Sequence, residues 1–186
     1  IVNTKCGYDS FHKKKTFKLS DMQSTIDKSL KLFDKINILY LHNPRLEIKN
    51  WNKIINFLKK LKEDGIINYI GISLARDYYF NSSILNEFDY IQDEFNLLRF
   101  PKKNIISDYK EKFVARSPLA SGVLSKNFNK NIKFSKKDYR FDWLKKDRKL
   151  NIKFQVNQLN KITSKNIEKF AFSFLLNNKS VKYINY

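Results

Sequence analysis

The chain has few of the residues that often define small folds or reactive sites. Its 186 residues include one cysteine, Cys6, with two histidines, four glycines and three prolines. A lone cysteine excludes an internal disulfide framework and fits a reducing compartment. So few cysteines and histidines also exclude a zinc site built from them. No apolar run reaches the roughly 18 residues of a membrane helix, so we expect a cytoplasmic protein with no membrane partner.

Acidic residues are also few, with 18 Asp and Glu against 37 Lys and Arg, a formal charge of +19. Such a charge can indicate binding to nucleic acid or to a membrane surface. The lysines are spread along the whole chain, however, and are enriched together with Asn, Ile and Phe, as in AT-rich genomes. A nucleic-acid groove needs basic residues clustered with aromatic stacking positions. We therefore expect a lysine-rich surface and no nucleic-acid partner.

What the chain does contain is a series of short apolar runs that alternate with longer amphipathic ones. Ser20 and Gln23 form a predicted capping box at the start of the first helix, and Gly65 follows the second helix as expected at a C-terminus. A long polar stretch covers 117–151. The predicted strands are 1–4, 36–41, 67–72, 89–95, 113–115 and 181–184. The predicted helices are 20–33, 51–63, 79–87, 103–112, 154–162 and 166–176.

Strands that alternate with helices predict an α/β fold with right-handed crossovers and a parallel sheet. The candidates are a doubly wound sheet and a (β/α)8 barrel. No Gly-x-Gly-x-x-Gly turn follows any strand, so the Rossmann fingerprint is absent. A complete barrel needs about 250 residues and eight strands, whereas this chain supplies six predicted strands.

Polar side chains lie at the ends of nearly all predicted strands. In a barrel these ends converge on the face that carries the active site. Each residue also has a plainer interpretation, such as a solvated lysine, a hydrogen-bonded core histidine or an amide that satisfies backbone groups. Their shared position favours a functional site. The residues are Lys5, His42, Ser73, Gln92, Glu94, Arg116 and Ser117.

Two covalent mechanisms also use residues of this set. The cation of Lys5 could lower the pKa of the neighbouring Cys6 thiol and make it a nucleophile. A cysteine nucleophile is disfavoured, however, because no base other than His42 is available to activate the thiol. In an aldolase-like barrel, Lys5 would form a Schiff base inside an apolar pocket.

Five segments resemble the aldo-keto reductases, in the order and spacing of that family. They are 4–7 (TKCG), 39–44 (LYLHNP), 61–73 (LKEDGIINYIGIS), 91–98 (IQDEFNLL) and 114–125 (VARSPLASGVLS). The resemblance implies a (β/α)8 TIM barrel that binds NADPH in an extended form. The chain would cover barrel strands three to eight, six of the eight βα units, as one partial domain over residues 1–186.

The resemblance also assigns catalytic roles. Lys5 matches the lysine and His42 the histidine of the family's Asp-Tyr-Lys-His tetrad, while the Asp and Tyr lie on a segment before this lysine. The tyrosine would donate a proton to the carbonyl oxygen, Lys5 would lower the tyrosine pKa, and His42 would orient the carbonyl. No metal takes part.

Cofactor-binding residues follow from the same match. Ser73 and Gln92 match the residues that bind the nicotinamide carboxamide, although Leu74 replaces an asparagine that is common in the family. Arg116 takes the position of a planar side chain that stacks on the nicotinamide. The basic stretch 126–149 resembles a flap over the cofactor phosphates, and 138–140 (DYR) a short motif within it. The residues that match the pyrophosphate loop are Ser117, Leu119 and Ser121.

The resemblance therefore implies an NADPH-dependent oxidoreductase that reduces an aldehyde or ketone, with a small-molecule carbonyl substrate. The alternative is a non-catalytic barrel that binds the cofactor as a sensor or accessory subunit, as potassium-channel β subunits do. We expect residues 1–186 alone to be inactive and poorly folded, because open parallel edges favour aggregation.

Overall fold

The computed structural model describes residues 2–9, 14–45, 47–75, 80–126, 128, 134–138, 140–143, 146–164 and 166–185. The chain forms two compact units, Ile1–Asp93 and Glu94–Tyr186. Within the described ranges, no helix has the length and apolar character that crossing a membrane requires.

The first unit is a parallel sheet with helices. Its strands are β1 (Asn3–Cys6), β2 (Tyr8–Asp9), β3 (Lys14–Lys15), β4 (Ile36–His42), β5 (Ile67–Ser73) and β6 (Tyr90–Glu94). Its helices are α1 (Leu19–Leu30), α2 (Trp51–Glu63) and α3 (Ser82–Leu85). The sheet order is β1-β4-β5-β6, and each neighbouring pair is parallel. A short antiparallel hairpin of β2 and β3 follows β1.

The second unit is richer in helix. Its helices are α4 (Lys103–Asp108), α5 (Arg140–Trp143), α6 (Lys146–Ile162) and α7 (Ile167–Leu176), and a 3-10 turn covers Ala120–Gly122. Its strands β7 (Phe113–Arg116) and β8 (Tyr183–Asn185) pair in parallel. Side chains of the turn, α6 and α7 form one buried cluster: Ala120, Val123, Leu124, Ile152, Val156, Ile167 and Ala171. The predicted α/β fold with parallel strands is confirmed in both units.

The helix predicted over 51–63 has those bounds in the structure, because its apolar spacing is strictly helical and Gly65 ends it with a φ of 72°. The prediction of a capping box at Ser20 and Gln23 is wrong. Helix α1 begins at Leu19 after Lys18, so Ser20 lies inside the helix and caps nothing. Asp21 in the first turn instead accepts a hydrogen bond from the hydroxyl of Thr16.

The register of the parallel strands decides which side chains share a face. Lys5 is paired with Tyr40, and Tyr40 with Gly71, at matching Cα positions. Because side chains alternate along a strand, His42 and Ser73, which pair two residues further on, lie on the same face as Lys5. The opposite face carries buried aliphatic residues, namely Leu39, Leu41, Ile70, Ile72 and Ile91.

The face of the sheet that carries Lys5, His42 and Ser73 is called its inner face. Gly71 allows the large ring of Tyr40 to lie on this inner face. A Cβ atom built on Gly71 would overlap the Tyr40 ring. Tyr40 is only 1% exposed, so the ring has little room to move away. The glycine is therefore a packing requirement of this sheet.

Candidate active site

Three polar side chains from three strands meet in the first unit. Lys5 is the next-to-last residue of β1, Ser73 is the last residue of β5, and Gln92 lies in β6. The Lys5 ammonium donates to Gln92 Oε1 at 2.8 Å and to Ser73 Oγ at 3.3 Å. Ser73 Oγ also donates to Gln92 Oε1 at 3.0 Å. Three residues expected to share a site are thus in direct contact.

The Gln92 amide has one satisfied end and one unsatisfied end. Its oxygen accepts from both Lys5 and Ser73, while its buried Nε2 donor has no hydrogen-bond partner among the described residues. Leaving a buried donor unsatisfied costs about 1–3 kcal/mol, so the position favours a ligand that brings an acceptor. The carboxamide oxygen of a nicotinamide is such an acceptor, and the residues present fit that group.

His42 is the last residue of β4, and its Cα is paired with that of Ser73. The backbone turns immediately afterwards, where Asn43 adopts a left-handed φ of 47° and its N–H donates to Ser73 O at 2.8 Å. The ring of Tyr8 meets the half-buried His42 ring edge-on, with centroids 6.0 Å apart. These contacts hold the imidazole beside the end of β5.

Cys6 follows Lys5 in the chain but points to the opposite face of the sheet. The thiol is fully buried, and burial raises its pKa to about 12. Loss of water around the thiolate is the largest cause of this rise, and the direction is opposite to the effect of Lys5 considered from the sequence. A neutral thiol is a poor nucleophile, so the structure offers no support for cysteine catalysis.

Of the remaining predicted site residues, Glu94 is the last residue of β6, and the others lie on or just after β7 in the second unit. Arg116 is half-buried at the end of β7, and its backbone oxygen accepts from Phe95 N–H at 3.1 Å. The oxygen of Ser117 accepts from the Asn96 amide at 3.0 Å and from Ala120 N–H at 2.9 Å. These bonds fix the start of the loop against the segment after β6.

This loop has an unusual backbone. Positive φ angles occur at Ser117 (57°), Ala120 (47°), Ser121 (59°) and Gly122 (89°). For a residue other than glycine this conformation costs about 1–3 kcal/mol in backbone strain, and such strain concentrates at functional sites. Leu119 belongs to the same turn, and its oxygen accepts from Gly122 N–H at 2.9 Å. The structure thus brings all four predicted loop residues into one tightly turned segment.

The predicted phosphate flap lies largely outside the described residues, and so does the central tyrosine of the 138–140 motif. Of that motif, Asp138 and Arg140 form an ion pair at 2.7 Å. The Arg140 guanidinium also lies 4.2 Å from the centre of the Phe134 ring. The hydrogen bonds from Arg140 to Asp138 lower the pKa of the Asp138 carboxyl.

The β2–β3 hairpin was not predicted from the sequence. Lys15 in this hairpin donates to the backbone oxygen of His42 at 2.8 Å and lies 5.3 Å from the centre of the Tyr8 ring. Strands of two residues carry no periodicity, and no turn dipeptide rich in glycine marks the hairpin. The contact of Lys15 with His42 could therefore not be predicted from the sequence. In the described ranges, no group of three His, Cys, Asp or Glu side chains is placed to hold a metal.

Comparison with known proteins gives one family. The model of the aldo/keto reductase family matches residues 1–184. No curated protein matches the chain.

Two solved structures illustrate the likeness in fold. The chain is similar to the glycerol dehydrogenase AKR11B4 from Gluconobacter oxydans, with a TM-score of 0.70 and 20% identity over 98% of this chain and 62% of that one. It is also similar to the holo form of the aldo-keto reductase AKR11C1 from Bacillus halodurans, with a TM-score of 0.68 and 19% identity over 99% of this chain and 61% of that one. The chain therefore spans less than two thirds of either structure.

The strands and helices of the chain correspond to six of the eight βα units of a (β/α)8 barrel, as the resemblance predicted. The motifs at the strand ends, the fold and the family match all agree. The chain belongs to the aldo/keto reductase family.

Proposed function

We propose that the chain forms the cofactor-binding and carbonyl-binding part of an NADPH-dependent oxidoreductase, which reduces an aldehyde or ketone to an alcohol. The observation that carries the proposal is the contact of Lys5 with Ser73 and Gln92. It joins the expected catalytic lysine to the two residues expected to hold the nicotinamide. We further propose that residues 1–186 belong to one barrel domain in the cytoplasm.

Ser73 and Gln92 would hold the carboxamide of the cofactor. The buried Gln92 Nε2 lacks a partner among the described residues and would donate to the carboxamide oxygen. Gln92 Oε1 is already held by Lys5 and Ser73, so the amide cannot rotate freely and its donor is aimed in advance. NADPH, when bound, supplies a hydride to the carbonyl carbon.

Lys5 and His42 would act on the carbonyl oxygen. The ammonium of Lys5 favours the ionised form of a nearby phenol and so lowers the pKa of a tyrosine proton donor. The Asp and Tyr of the family's tetrad match no residue of this chain, so Lys5 and His42 represent half of the tetrad. His42, held against Tyr8, would donate a hydrogen bond that orients the carbonyl.

The loop after β7 would hold the rest of the cofactor. The planar guanidinium of Arg116 can stack on the nicotinamide ring. Ser117, Leu119 and Ser121 would surround the pyrophosphate, where the left-handed backbone at Ser117 and Ser121 turns the chain closely enough to cradle phosphate oxygens. Lysines of 126–149 would supply positive charge, which supports NADPH.

The test is reduction of simple aldehydes by the full-length protein, followed through the loss of NADPH absorbance. We expect Lys5→Met to lower kcat by about 10²–10⁴-fold, the range of general acid–base contributions. Lys60→Met is the matched control, because Lys60 is an exposed lysine paired with Asp64 on α2. Lys60→Met should leave the rate unchanged.

NADPH binding without turnover of any aldehyde or ketone would instead favour the non-catalytic cofactor-binding barrel. Failure to bind NADPH or NADH would overturn both readings. Membership of the aldo/keto reductase family disfavours the aldolase-like mechanism. Borohydride trapping of a carbonyl substrate on Lys5 would revive it.

A further inference from the structure

The β2–β3 hairpin brings a second lysine to the candidate catalytic histidine. Tyr8 pairs with Lys15 across the hairpin, and Gly7 O accepts from Thr16 N–H at 3.3 Å. Gly7 has a φ of 90°, and a Cβ there would overlap the Phe17 ring. The chain is therefore held where it leaves β1, and Lys15 is carried to the end of β4.

Lys15 lies in a surrounding that disfavours its charge. Burial, together with the positive charge of Arg45, lowers the pKa of Lys15 to about 8, and burial is the larger cause. Arg45 follows β4 by three residues, directly after Asn43 and Pro44. Lys15 contacts His42 from the hairpin, and Arg45, on the segment after β4, is close enough for its charge to act on Lys15.

One hydrogen bond does not use the full capacity of Lys15. An ammonium has three donors, and one of them reaches the backbone oxygen of His42 at 2.8 Å. That bond fixes the ammonium at the edge of the site. An anion at this edge would relieve the repulsion from Arg45 and favour the charged form of Lys15.

We propose that Lys15 and Arg45 bind a carboxylate on the substrate, so that the preferred substrates are aldehydes or ketones that carry a carboxylate. This inference rests on the proposed carbonyl reduction and adds its substrate class. The competing role for Lys15 is purely structural, as a support that fastens the hairpin to β4. The two roles differ in substrate preference, since a support has no reason to distinguish charged from neutral carbonyls.

The experiment compares para-formylbenzoate with its methyl ester as substrates of the full-length protein. The two share the same aldehyde and ring and differ in one negative charge. We expect kcat/KM to be at least about tenfold higher for the acid, as hydrogen bonds to a charged group allow. Lys15→Met and Arg45→Gln should each lower the acid-to-ester ratio toward one, mainly through KM for the acid.

Two further variants separate charge recognition from structural support. Lys15→Arg keeps the cation and should keep most of the acid preference. Lys14→Met removes an exposed lysine of the same hairpin and should leave the ratio unchanged. Equal kcat/KM for acid and ester, or a ratio unaffected by Lys15→Met, would overturn the inference while leaving the proposed reduction intact. Absence of turnover with both aldehydes would remove the proposed reduction, and this inference with it.

Discussion

The ammonium of Lys5 donates a 2.8 Å hydrogen bond to Gln92 Oε1, although β4 and β5 lie between their strands. In a flat sheet, β1 and β6 would be about 14 Å apart, from three strand spacings. Side chains stand roughly perpendicular to a sheet, so the contact requires the sheet of the first unit to curve around its inner face. That curvature is what brings the ends of its strands together at the candidate site.

The Gln92 amide should be important for cofactor affinity. Gln92→Leu removes the unsatisfied Nε2 donor and the acceptor of Lys5, and we expect the Kd for NADPH to rise about tenfold or more, since hydrogen bonds of this kind contribute roughly 1–3 kcal/mol. Fluorescence titration of the full-length protein measures it. Gln155→Leu, the same change at an exposed position of α6, is the control. Equal Kd values for Gln92→Leu and the wild type would contradict the proposed carboxamide contact.

Gly71→Ala should destabilise the sheet through overlap with Tyr40. The added Cβ would meet the ring of a side chain that is 1% exposed, and overpacking of this kind costs about 1–3 kcal/mol. Urea denaturation measures the loss. If the overlap is the cause, the cost of Gly71→Ala should shrink in a Tyr40→Leu background. The same cost in both backgrounds would point to another cause.

The Cys6 thiol should be unreactive in the folded protein. Burial raises its pKa from 9.0 to about 12, so it carries no thiolate at neutral pH and is closed to reagents. A thiol-specific chromophore should label Cys6 only after denaturation. The folded protein holds the proton more tightly, so this group stabilises the fold below about pH 9 and loses that contribution as the pH rises toward 12. Rapid labelling of the native protein would refute this.

Lys15 should have the opposite effect on stability. Its pKa falls from 10.5 to about 8 on folding, so the unfolded chain binds more protons between those values, and stability rises with pH across that window. Lys15→Met should abolish the rise. The measurement is the urea midpoint of both proteins from neutral pH to about pH 9. Both proteins contain Cys6, so its titration affects the two profiles alike. Parallel pH profiles would show that the Lys15 pKa is not lowered.

The sequence predicted those features that have a strong periodic or positional signal. Helix α2 combines helical spacing of apolar residues with a terminal glycine, and its bounds were correct. Ser73 closes a strand, as predicted. Lys5, by contrast, was placed after its strand but lies inside it, because a strand end shaped by neighbouring strands has no local marker.

Other features depend on contacts between distant residues. Helix α6 begins at Lys146, well before the predicted 154, within a stretch that looked like a polar loop. Buried Ile152 and Val156 anchor it to the cluster with α7, while Phe154 is 62% exposed. This irregular apolar pattern hides the helix from a search for periodicity. The approach of Lys15 to His42 depends in the same way on a hairpin that only the fold reveals.

The contact of Lys5, Ser73 and Gln92 also forms only when the strands of the sheet pair in the correct register. Side chains alternate along a strand, so a slip of one residue in the register of any of the three strands would turn its polar residue to the other face. The lysine would then lose its partners, and the amide donor would no longer face the proposed nicotinamide position. If Gln92 binds the cofactor as proposed, a misregistered sheet would lose that contact, and cofactor binding would favour the correctly paired sheet over other pairings.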